Sequence, residues 1–75
     1  MESYKNLSGN SGIIAYQIDD DSIKVQFHNV SIYLYNYDKP GQFYVEEMKR
    51  LAIAGQGLNR FISKYVKKNY AARLR

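Results

Sequence analysis

The sequence has no cysteine, no tryptophan, one proline and one histidine. Without cysteine no disulfide framework can staple the fold, and one histidine alone cannot build the His/Cys cluster of a structural zinc site. No cofactor or metal is therefore expected. No apolar run exceeds four residues, as in Ile13 to Tyr16 and Leu51 to Ala54, and the opening Met1-Glu2-Ser3-Tyr4-Lys5-Asn6 is polar. That pattern predicts neither a signal peptide nor a membrane span. The missing cysteines fit a reducing cytoplasm, the expected location. One further absence is local: residues 56–75 hold no Asp or Glu but six Lys and Arg, whereas residues 1–55 hold seven acids against five bases. The whole net charge of +4 is thus gathered at one end. Such a block points to an anionic partner, whether nucleic acid, nucleotide, acidic protein or membrane surface, and its plain alternative is a solvated helix face.

What is present is the composition of a folded domain. Of 75 residues, 45% are hydrophobic and 24% charged, and eight tyrosines supply much of the apolar volume. Chains this short bury a modest share of their surface. With no staple available, burial between copies is the remaining route to stability, so a homo-oligomer is expected.

Residues 1–12, rich in Ser, Asn and Gly, read as a mostly irregular N-terminal arm with Tyr4 and Leu7 as anchors, and residues 13–75 as one domain. Ile13 to Ile18 reads as a strand, Asp19-Asp20-Asp21 as a turn, and the alternation in Ser22-Ile23-Lys24-Val25-Gln26-Phe27 as a second strand. After a turn at His28 to Ser31, Ile32 to Tyr37 completes a three-stranded antiparallel β-meander, because both connections are too short for parallel crossovers. Alternation places Ile14, Tyr16, Ile18, Ile23, Val25, Phe27, Tyr33, Tyr35 and Tyr37 on one face. It leaves Ile13, Ile32 and Leu34 as an apolar strip on the other, expected to meet a second subunit. A helix is predicted from Pro40, in its first turn, to about Ala54, with Asp38 as cap and Phe43, Tyr44, Met48 and Leu51 facing the sheet. Glu46 is placed to pair with Arg50. Gly55 and Gly57 break this helix, and a second one turns Leu58, Phe61, Ile62, Tyr65 and Val66 inward, with Arg60, Lys64, Lys67 and Lys68 as an outer basic stripe. The last residues, from Asn69, read as a final turn or loose tail. The fold class is α+β, two α-helices packed on one face of the meander.

The order of Tyr33-Leu34-Tyr35, then Asp38-Lys39-Pro40 opening a helix, then Gly55 and Asn59-Arg60 before Ile62, resembles the KTSC domain family. That family is named for a module at the C-terminus of some lysyl-tRNA synthetases and also occurs as stand-alone bacterial and phage proteins. The resemblance spans roughly Ile14 to Ile62. It departs where the family has a glycine-rich turn and this chain has His28-Asn29-Val30-Ser31, and the C-terminal end matches loosely. The synthetase association implies RNA as a partner.

No catalytic constellation emerges, and a non-enzymatic role is expected. His28 stands alone and reads as an exposed turn residue; Asp19-Asp20-Asp21 lacks the ligand spacing of a calcium loop; Glu46 and Glu47 diverge around one helix. The basic stripe instead offers phosphate contacts through Arg60, Lys64, Lys67 and Lys68. Gly57 and Asn59, at a helix start, offer either backbone N–H groups to a phosphate or a plain cap. Tyr44, Tyr65 and Tyr70 are placed to stack on a base, while Tyr33 and Tyr35 read as packed. The expected function is a binding module for a phosphate-bearing ligand, RNA or a small nucleotide, including sequestration of a nucleotide signal by an oligomer. The alternative is a protein-interaction module in which the Ile13, Ile32, Leu34 strip makes the contact and the basic tail answers an acidic partner.

Overall fold

Alternation along Ser22–Phe27 gives the central strand of an antiparallel sheet in the computed structural model, which describes residues 1–75. The strands are β1 (Glu2–Ser3), β2 (Ile13–Asp19), β3 (Ser22–Phe27), β4 (Ile32–Asn36) and β5 (Ala72–Arg73), joined in the order β1-β2-β3-β4-β5. The expected meander is therefore extended on both sides by two-residue strands. Neither edge strand has enough residues to show a period, so neither is visible as a sequence pattern.

Ile23, Val25 and Tyr35 enter the core, as alternation predicts. Ile13 does so as well, which corrects its expected place on the outer strip: it is 1% exposed and lies opposite Phe27. The cause is a bulge. Ile13 pairs with Phe27 and Ala15 with Gln26, so Ile14 is an extra residue that slips the alternation by one and is left 40% exposed. From Tyr16 onward the expected phase is restored. Ile32 and Leu34 keep their outward positions, half-buried, with Ala72 of β5 beside Leu34.

Helix α1 (Gln42–Ala54) begins later than the sequence predicts. Pro40 precedes it, after a cis Lys39–Pro40 bond, and pairs with Asn36. No side chain caps α1, so the cap expected of Asp38 is not made; in the turn before the helix Asn36 Oδ1 accepts the N–H groups of Asp38 and Lys39 at 3.0 and 2.9 Å. With Val45, Met48 and Ala52 buried, Phe43 lies two residues, about 200°, from Val45 and points away from the sheet, 75% exposed. Surface pairs form at i,i+3 rather than between Glu46 and Arg50: Lys49 with Glu46, and Arg50 with Glu47. At the end of α1, Gly55 adopts φ 78 and donates to Leu51 and Ala52. A side chain there would also meet Lys5, whose Cβ lies 2.6 Å from the position a Cβ would take.

The second helix starts as a four-residue α-turn, α2 (Leu58–Phe61), and continues as a π-helical stretch, Ile62–Val66. Leu58, Ile62 and Val66 fill the core from this side; Tyr65, expected inward, is 56% exposed. The N-terminal residues belong to the same fold rather than to a loose arm. Tyr4 is buried and its hydroxyl accepts the Leu58 N–H at 3.3 Å, while the other expected anchor, Leu7, is exposed. Both helices lie over one face of the sheet. No helix is long and apolar enough to cross a membrane.

Candidate functional site

The helix-covered face does not close at one end. There an open cleft of about 720 Å³ lies between the β3–β4 turn and the segment after the π-stretch. Aromatic side chains make its wall: Phe27 against Tyr33 (centroids 5.6 Å apart), Tyr33 against Tyr70 (4.6 Å) and Tyr35 against Tyr70 (6.4 Å), all edge to face. The Arg73 guanidinium braces Tyr33 at 5.5 Å from its ring. Tyr35 forms the floor, 2% exposed. Burial pushes its phenol above the ordinary tyrosine range, with Tyr33 and Tyr70 adding to the shift, so it stays a neutral donor at physiological pH.

Both lips are held in unusual backbone conformations. On one side Val30 has φ 63, a left-handed value that a β-branched residue rarely takes, inside a turn where Asn29 Oδ1 accepts both the N–H and the hydroxyl of Ser31 at 3.2 and 2.6 Å. His28 on the same lip donates its N–H to Gly12 at 2.6 Å. On the other side Lys67 has φ 56 and donates its N–H to Ile62, closing the i→i+5 turn. Strained residues and π-turns gather where a chain must present side chains that regular structure would point elsewhere.

This geometry splits the expected basic stripe. In a continuous α-helix Arg60, Lys64, Lys67 and Lys68 would share one face, but the widened π-turn and the reversal at Lys67 swing Lys67 and Lys68 over the cleft. Arg60 and Lys64 remain beside a separate, smaller groove of about 310 Å³, with Gly57, Phe61 and Tyr65. Along that groove runs an aromatic row, Phe43, Tyr44, Phe61 and Tyr65, with successive centroids 5.4, 6.1 and 5.2 Å apart. Of the three tyrosines expected to stack on a base, Tyr70 therefore belongs to the cleft, and Tyr44 and Tyr65 to the row.

At the expected phosphate cradle of Gly57 and Asn59, the Leu58 N–H is taken by the Tyr4 hydroxyl, and Asn59 is half-buried and approaches Gly12. Sequence reasoning missed His28, Asn29 and Ser31 as cleft residues. The signal available was that this turn directly precedes Tyr33 and Tyr35. Comparison with family models, with curated proteins and with solved structures found no match.

Proposed function

We propose that this protein is a non-enzymatic binding module whose cleft takes a phosphate-bearing ligand, RNA or a small nucleotide. The observation that carries the reading is the joining of Lys67 and Lys68, neither in an ion pair, to an aromatic wall inside one concave site. The volume lies within the few hundred to about 1,000 Å³ usual for ligand sites. Lysines supply the phosphate's counter-charge, and aromatic walls accept a planar base irrespective of its identity. The likeness to the KTSC domain family supports the same reading through its synthetase association, and the lack of cysteine supports a cytoplasmic setting. A homo-oligomer that sequesters a nucleotide remains part of the proposal, with Ile32 and Leu34 as its outward apolar residues.

The competing interaction module loses Ile13 from its contact strip to the core. Titration calorimetry at low salt with nucleoside monophosphates and short RNA oligonucleotides tests the proposal. The parent should bind, Lys67→Glu/Lys68→Glu should lose at least about tenfold, and Arg60→Glu/Lys64→Glu much less, because a charge-assisted contact contributes about 1.5–3 kcal/mol. Absence of binding by the parent, or equal binding by the cleft variant, would reject it.

A further inference from the structure

Tyr35 is nearly enclosed, yet its hydroxyl makes no hydrogen bond within the protein. Every fully buried side-chain oxygen or nitrogen has a partner, so this hydroxyl is not sealed in; it opens to the cleft that Tyr35 floors. A hydroxyl left open at the floor of an aromatic cleft without a protein partner is free to give its hydrogen bond to whatever enters, displacing only water. The cations lie at the opposite depth: Lys67 and Lys68 are exposed at the lip. The site therefore has an apolar, donor-bearing floor and a cationic mouth.

Resting on the binding function proposed above, we infer that the cleft holds a single small nucleotide, base inward and phosphate at the mouth, and that Tyr35 is the residue that reads the base. A planar ring entering along Tyr33 and Tyr70 brings its edge heteroatoms to the floor, where the phenol donates to a ring nitrogen or carbonyl. The phosphate remains outside with Lys67 and Lys68. A strand of RNA fits this arrangement poorly. It needs a track of cations beyond the first nucleotide, whereas Arg73 is held against the Tyr33 ring and Arg60 and Lys64 belong to another groove. The neutral state of the phenol, favoured by its burial, keeps it a donor across the physiological range.

The test uses the full chain with AMP, GMP, CMP and UMP, with ribose 5-phosphate and inorganic phosphate as baseless probes, and with oligonucleotides of one to six residues. The nucleotide that binds best should exceed ribose 5-phosphate by at least tenfold. Tyr35→Phe, which keeps the ring and removes only the hydroxyl, should erase most of that margin while leaving binding of inorganic phosphate unchanged. On the parent alone, affinity should level off after one nucleotide, and the logarithm of affinity should fall against the logarithm of salt with a slope no steeper than about 0.7, the value for one contacted phosphate of a single strand. Tyr35→Phe binding every nucleotide as the parent does would overturn the role given to Tyr35. Affinity climbing with each added residue would overturn the single-nucleotide cleft while leaving a phosphate-binding function in place. A parent that binds none of these probes would end both readings.

Discussion

The cleft and the aromatic row are built from the same residue types, tyrosine and phenylalanine beside lysine and arginine, yet they are different objects. In the row Phe43 and Tyr65 stand mostly in solvent, one on α1 and the other in the π-helical stretch, and Lys64 folds back over Tyr65 at 5.5 Å from its ring. In the cleft the rings are edge-packed into a wall, one of them is nearly buried, and left-handed residues form both lips. Composition does not distinguish the two; packing and backbone do. A base lying on the row would meet rings exposed on a helix surface, whereas one in the cleft would meet an edge-packed wall with the Tyr35 hydroxyl at its floor.

The sharpest way to break this contrast is by truncating one ring on each side. Tyr35→Ala removes a buried aromatic and should cost about 3–5 kcal/mol, whereas Phe43→Ala removes an exposed one and should stay within about 0.5 kcal/mol. Urea denaturation of both variants reads the difference, and equal costs would mean that the row is as integral to the core as the cleft floor.

A weaker effect separates the regions by pH. Because the folded state holds the Tyr35 phenol above its unfolded value of about 10, its neutral form is favoured by folding. That contribution is complete below pH 10 and is lost as pH rises toward the folded value. Stability of the parent should therefore decline more steeply above pH 10 than that of Tyr35→Phe. Parallel profiles for the two would show a phenol that ionises as freely as one in water.

The smallest contrast lies in polar contacts. Asn29→Ala deprives the Ser31 N–H and hydroxyl of their acceptor at the cleft lip and should cost about 1 kcal/mol, while Arg50→Ala breaks only an exposed pair with Glu47 and should cost about 0.5 kcal/mol or less. Thermal melts resolve such values in a chain this small, since about 1 kcal/mol moves the midpoint by roughly 4–8 °C.

The parts of this molecule legible in its sequence are those with a sustained period. The alternation of β3 and β4 and the two glycines between helices lead to the observed α+β arrangement. Illegible were features made by single residues breaking a period. The extra residue at Ile14 reversed the side assigned to Ile13. The turn at Asn36 to Pro40 delayed α1 and turned Phe43 outward, and the π-turn ending at Lys67 divided a basic stripe that ordinary helical spacing draws as continuous. Each follows from local geometry closing against tertiary neighbours, which propensity does not encode. The cleft was hidden for the same reason, its residues coming from the β3–β4 turn, β4 and the segment after the second helix.

The two-residue strand β5 has a consequence for solubility. Strand β4, Ile32-Tyr33-Leu34-Tyr35-Asn36, carries no charge and no proline and is rich in β-formers, the composition of a segment that recruits further strands when its edge is bare. Arg73 and Ala72 lie along that edge opposite Tyr33 and Leu34, and the chain continues to bond it through Leu74 N–H to Ile32. So short a strand offers a newcomer little ladder of its own. Residues 71–75 thus cover the β4 edge that would otherwise be bare, a structural consequence quite separate from any ligand.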